Sequence, residues 1–369
     1  MKNSRKKYLI YNILIFTLVF SPVLLMGQVP QDGIFYIHPE FGKNENTGSI
    51  DSPLKTLNEA AHRLNRANGK GAVNIILSEG IYNLGETTTF HPANWHFTRE
   101  ERLTIRAEIL PDDGNWNPGK MPVIVSTMPL NFKPYGNDDP LHGASYGIQI
   151  ETSHATIQGL RVLGTPVHER PADGYVRRNY PIAREGRDLE DLRITQCLFL
   201  GDKHAIPNHV AIIASGQNVV IDHCVFFNVK DAVVFWESER PSENSEMHHN
   251  LIVDSYGAAI WSWALADDFK YYNNVVSNSN VFWVLNSEEE KAFTLSNSVL
   301  IGYNELVNKG GGPQHFGTPA NPEKLKFGEG MIIEKEGKLE IIEDQTSRQY
   351  LHLQPGSVGA ELGAGLFMN

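Results

Sequence analysis

An all-β chain wound as a right-handed parallel β-helix, its N-terminal end capped by a short helix, is the fold this sequence predicts. Three observations lead there. A six-residue pattern returns five times between Leu192 and Gly302, beginning at Ile194, Ile221, Met247, Tyr271 and Leu295. From the fourth residue of each copy to the next, the steps are 27, 26, 24 and 24 residues. A fixed period of about 20 to 50 residues marks a solenoid, and short apolar alternation on either side of a bend marks strands. The third observation is the residue at the bend: Gln196, His223, His249, Asn273 and Asn297, with Gly159 in an earlier copy. Gly, Asn and His tolerate positive φ best, as a strand-to-strand corner often requires, and Gln196 fits least well. A second apolar run follows each corner, at Val210–Ile213, Ala232–Phe235, Ala258–Trp261 and Val281–Leu285. Coils stacked in register should lie about 4.8 Å apart and wind right-handed.

The elements follow in order. Lys2, Arg5, Lys6 and Lys7 precede a mostly apolar run to Met26, the pattern of a secretory signal peptide cleaved near Gly27. No Cys follows the run directly, so a lipoprotein anchor is not indicated. Loss of residues 1–27 removes four basic and no acidic residues, leaving 28 basic against 43 acidic and a net charge of −15. That balance opposes nucleic-acid binding. The mature chain is expected as an exported monomer, free of the membrane. Residues 28–146 should form the cap and first coils, 147–307 the regular coils and 308–369 the closing segment. Gly33–Pro39 reads as a strand and Asn44–Pro53 as a polar loop. Thr56 and Glu59 make a capping box that opens a helix with Leu57, Ala60, Ala61 and Leu64 on one face. Such a helix can plug the open end of a solenoid core.

Phe35-Tyr36-Ile37, Thr47-Gly48, Ser52-Pro53-Leu54, Thr56 to Ala60 and Ile75 to Tyr82 resemble the start of exported bacterial β-helix proteins of the pectate-lyase-like superfamily. Gln354-Pro355-Gly356-Ser357 through Phe367 resembles their closing segment. The resemblance implies the fold and a polysaccharide ligand. It names no reaction, since the superfamily holds lyases, hydrolases, esterases and non-enzymes. The Asn-Thr-Asp, paired-Asp, Gly-His-Gly and Arg-Ile-Lys signatures of polygalacturonases are missing, as is the motif set of chondroitinase-B-like lyases.

Two features suggest where a ligand would sit. Gly159 and Gln196 are 37 residues apart, so this coil carries an insertion of roughly ten residues between Gly164 and Asp191. It holds His168, Arg170, Arg177, Arg178, Arg184 and Arg187, expected as a loop that clamps carboxylate or sulfate. The alternative is a solvated network with Glu169, Asp173, Glu185, Asp188, Glu190 and Asp191. The second feature is alternation. If Val210, Ile212, Ala232, Val234, Ala258, Ile260, Phe282 and Val284 point inward, then His209, Asp231, Phe235, Glu237, Trp261, Trp263 and Trp283 form an outer strip for sugar rings. A one-residue slip would turn the tryptophans into core.

Three functions stay open. A lyase on a uronate-containing glycan would use His209 or Lys230 as base and Arg170, Arg177 and Arg178 on the carboxylate. A glycoside hydrolase would use Asp231 and Glu237. A non-catalytic carbohydrate-binding β-helix needs neither. No cofactor is called for, although Asp267-Asp268 could hold Ca²⁺. His223, His248 and His249 suit corners as well as catalysis or metal ligation. Cys197 and Cys224 match in adjacent coils, close enough for a disulfide but pointing the same way, which favours buried thiols. Gly328–Ile342 reads as a hairpin around Glu336-Gly337.

Overall fold

The computed structural model describes residues 28–127, 133–134, 142–165, 175–184, 188–205, 208–236, 240–286, 291–310 and 316–368. The chain is a right-handed parallel β-helix. Its first face is a ten-stranded parallel sheet running from Ile34–Ile37 through Glu190–Thr195, Gln217–Asp222 and Glu246–His248 to Leu325–Phe327. A second face stacks short strands, among them Arg161–Gly164, Leu198–Leu200, Val225–Phe227 and Leu251–Val253. The third face stacks His142–Ile150, Tyr175–Arg184, Asn208–Ala214, Asp231–Phe235 and Ala258–Ser262. The long strands Val275–Leu285 and Val299–Gly310 run through the bend between the second and third faces, so the ladders of the two faces merge there.

The corner between the first and second faces is made by the residues the repeat singles out. Gln196, His223, His249, Asn273 and Asn297 all have φ between 40° and 55°, and Gly159 has φ 76°. Gln196 holds its strained backbone with side-chain bonds, Nε2 donating to Asp112 Oδ2 and to the Leu366 carbonyl. A second left-handed column, Asn228, Asp254, Asn278 and Gly302, turns the chain from the second face to the third. Just after the first corner, Cys224 N–H donates to Asn250 Oδ1, Asn250 N–H to Asn274 Oδ1 and Asn274 N–H to Ser298 Oγ. These buried amides bond coil to coil at the backbone groups that the corner takes out of the sheets. Cys197 and Cys224 occupy the same column as buried free thiols, their Sγ atoms donating to the carbonyls of Thr195 and Asp222.

The interior is filled by columns of aligned residues, several from most strands. Ile148, Ile182, Ile212, Val233, Ile260, Trp283 and Val307 form one such inward column. Phe199 and Phe226 stack beside it, 4.9 Å apart and 5° from parallel. At the N-terminal end the helix Leu57–Arg66 closes the core with Leu57, Ala60, Ala61 and Leu64. Thr56 accepts the Glu59 N–H at 3.2 Å, as the capping box requires. Buried Arg63 reaches Glu59 and the Asn44 carbonyl. Gly328–Ile342 is not a hairpin: Leu325–Phe327 and Ile332–Glu334 join the first and second faces as one more parallel coil. The expected signal peptide lies outside the described residues. Among the described residues, no helix is long and apolar enough to cross a membrane.

Candidate functional site

The outer side of the third face carries a second, largely buried apolar and aromatic cluster. Tyr146, Tyr180, Val210, Val234, Trp261 and Val284 pack together there, with Trp236 and Trp263 half-buried against them. Tyr146 and Tyr180 stack across adjacent coils at 5.6 Å, and Trp236 and Trp263 stack at 4.9 Å, 13° from parallel. Trp261 lies 6.1 Å from Trp263 and is 4% exposed. Gly310 lets the next coil approach, since a Cβ there would stand 2.9 Å from Trp263 Cζ2. Trp263 Nε1 is buried with no hydrogen-bond partner among the described residues. A half-buried indole pair of this kind offers ring faces of the type that stack on sugars.

A small cavity of about 10 Å³, room for roughly one water, lies among Tyr180, Val210, Lys230, Asp231, Val234, Trp236 and Trp261. Lys230 Nζ meets Asp231 Oδ2 at 2.9 Å, and the Ala258 N–H donates to Asp231 Oδ1 at 2.8 Å. Gly257 makes room, for a Cβ there would fall 2.5 Å from Asp231 Oδ1. Asp231 is 2% exposed, so it serves as the fixed anchor of the lysine. His209 lies one column over, and its carbonyl accepts the Lys230 N–H. Its ring is packed under Gly164, whose Cβ would lie 3.4 Å from ring carbons. Both ring nitrogens lack a hydrogen-bond partner among the described residues. Burial pushes the imidazole down to about 4, so it is neutral at pH 7.

The structure corrects the expected strip in several places. Trp283 is not on the outer surface: it aligns with Ile260, is fully buried, and donates Nε1–H to Ser262 Oγ at 2.9 Å. Phe235 also points inward, while Val210, Val234, Ala258 and Val284 lie on the outer side. Asp231 and His209 are buried rather than exposed. The cause is that each of these strands turns two successive residues inward, Ala211–Ile212, Ala232–Val233, Ala259–Ile260 and Phe282–Trp283, which strict alternation does not provide for. Alternation therefore placed one of the two expected inward residues of each coil correctly, Ile212, Ala232, Ile260 and Phe282, and misplaced the other, Val210, Val234, Ala258 and Val284.

The insertion is also more than a loop. It contains the third-face strand Tyr175–Arg184, in which Arg178 pairs with Asn208. Arg184 is fully buried, donating to the carbonyls of Ser215 and Glu190, and burial pushes its guanidinium down to about 9. It is a structural group, not part of an exposed clamp. Arg170 and Glu237 lie outside the described residues, as do the side chains of Arg177 and Arg178. Tyr146, Tyr180 and Trp236 were missed. Tyr180 sits in the insertion that breaks the repeat, and Trp236 follows the strand Asp231–Phe235.

Fold and face together define the class: a right-handed parallel β-helix. Among solved structures, the chain is similar to the GH136 lacto-N-biosidase of Eubacterium ramulus, with a TM-score of 0.51 at 13% identity. The alignment covers 82% of this chain and 55% of that one, so this chain spans about half its length. It is also similar to a pectin methylesterase in complex with a hexasaccharide, at a TM-score of 0.45 and 12% identity over 89% of this chain and 96% of that one. A PL6 alginate lyase in complex with a trisaccharide gives 0.38 at 11% identity, over 73% and 55%. At such identities the likeness establishes the fold alone. No protein-family model matches the sequence, and no curated protein matches it.

Proposed function

We propose that this chain is an exported carbohydrate-active β-helix that takes a polysaccharide along the third face and cleaves a uronate-containing chain by β-elimination. The observation that carries this reading is the placement of Trp236, itself stacked on Trp263, beside the Lys230–Asp231 pair at one small cavity. The indoles suit a sugar ring, and the lysine ammonium suits its carboxylate. In the elimination, a base takes the proton α to the carboxylate, the bond to the leaving sugar oxygen breaks, and a carbon–carbon double bond remains. His209 is the neutral base nearest in the sheet, and using it requires the packing over its ring to open on binding. The lacto-N-biosidase of like fold is named for action on a sugar, which supports the class and no particular reaction.

Non-catalytic glycan binding is the second reading. It is favoured by the burial of His209 and by the engagement of both Asp231 oxygens, which also counts against Asp231 as the carboxylate of a hydrolase. Incubating the mature chain with a panel of uronans, including alginate, pectate and a glycosaminoglycan, tests these readings. The lyase reading expects ultraviolet absorbance from an unsaturated uronate product, lost in Lys230→Ala. New reducing ends without that absorbance would indicate a hydrolase. Binding without turnover would leave the non-catalytic reading.

A further inference from the structure

Away from the aromatic face, at the corner between the first and second faces, three imidazoles converge. His223 and His249 are the corner residues of adjacent coils, and His248 ends the strand Glu246–His248. One ring nitrogen from each lies within 4.8 Å of the others, and all three side chains are half-buried and open to solvent on one side. His248 Nδ1 and His249 Nδ1 face each other at 2.9 Å. We propose that His223, His248 and His249 form a binding site for a borderline transition-metal ion of the Zn²⁺ type, with a fourth position left to solvent.

The surroundings suit that role. His223 Nδ1 lies 2.9 Å from Asp222 Oδ2, and the acceptor carboxylate requires Nδ1 to carry the proton, leaving the Nε2 lone pair free. Asp222 is itself fixed by both Arg193 Nε and Nη2 at 2.8 Å and by Thr195 Oγ1 at 2.9 Å. A carboxylate behind a histidine is the usual outer partner of a metal ligand. Tyr272 stacks on the His248 ring at 4.8 Å, and Asn273 Nδ2 donates to His249 Nε2 at 2.9 Å, a bond that an ion on that nitrogen would displace. Ligating nitrogens in a tetrahedral site lie roughly 3.3 Å apart, given bonds of about 2.0 to 2.1 Å. His223 and His249 stack 4.7 Å apart and 6° from parallel, so one of these rings must turn out of the stack for both to meet one ion. Three imidazoles do not suit Ca²⁺, which takes oxygen ligands.

The site also touches the closing segment, because the Gly365 N–H donates to the His249 carbonyl. A bound ion would therefore fasten the corner to the C-terminal end of the solenoid and raise the melting temperature.

The test uses the untagged mature chain, stripped with chelator and titrated with Zn²⁺ by calorimetry, with thermal melts in parallel. One Zn²⁺ per chain is expected, with a rise in Tm. His249→Asn and His223→Asn should each weaken binding by at least about tenfold and abolish the rise. Asn already stands at this corner in the next two coils, as Asn273 and Asn297, so both variants keep the backbone, and their metal-free melts check that. Absence of stoichiometric binding would overturn the proposal, and so would equal binding by the variants, which would put the ion on other histidines.

Discussion

Trp283 and Trp263 are 20 residues apart in sequence and face opposite ways, and their substitution should separate core from ligand surface. Trp283 is fully buried among Phe269, Phe282 and Phe293, so Trp283→Ala should cost about 3–5 kcal/mol by chemical denaturation. Trp263→Ala should cost about 1 kcal/mol and weaken glycan binding about fivefold, measured by affinity electrophoresis. Asp222 makes a different point. Burial opposes its charge, but hydrogen bonds from Arg193 and His223 prevail and hold its carboxyl well below the usual range. A lowered folded pKa contributes stability above the unfolded value, and that contribution is lost as the pH falls below about 4. Asp222→Ala should cost about 2–3 kcal/mol at pH 7. That is below the range for a wholly buried pair, because Arg193 is 43% exposed. The gap from the parent chain should close as denaturation is repeated at lower pH; a constant gap would mean the ion pair is not its source.

At the scale of an element, the closing segment rests on a histidine tautomer. His352 Nε2 accepts the Leu366 N–H at 2.9 Å, and its Nδ1 lies 3.1 Å from the Tyr350 carbonyl. Burial pushes the imidazole down to about 4, with the backbone bonds acting the other way. The unfolded segment therefore binds a proton between about pH 6.5 and 4 while the folded one does not, so stability falls as the pH drops through that window. Protonating Nε2 also removes the acceptor that holds Leu366. Amide exchange, corrected for its intrinsic pH dependence, should show residues 349–368 opening more readily at pH 5 than at pH 7. His352→Gln should flatten that difference. Equal protection at both pH values in the parent chain would contradict the tautomer assignment.

For the whole molecule, stability should be nearly a sum over coils and their contacts. The 24-residue steps between Asn250, Asn274 and Ser298 allow a direct test. Deleting residues 250–273 joins His249 to Asn274 and leaves every corner and inward column in register. The shortened chain should keep its β-sheet circular dichroism and unfold cooperatively at a lower Tm. It should also lose glycan binding, because Trp261 and Trp263 leave with the coil. An unfolded product would show that the coils are not interchangeable.

The period, the left-handed corners at His223, His249, Asn273 and Asn297, and the capping helix at Thr56 were all legible in the sequence. Each is set locally, by backbone sterics or by hydrogen bonds within a few residues. The second corner column, the amide ladder through Asn250 and Asn274, and the placement of Trp283, Phe235 and Arg184 were not legible in the same way. Trp283 and Phe235 follow from strands that turn two successive residues inward, and the others depend on how far each connection carries the chain before it rejoins the stack. A shift of one residue exchanges inside for outside. Only the stacking of coils decides that register, and with it which side chains meet at the cavity around Lys230 and which imidazoles meet at the corner.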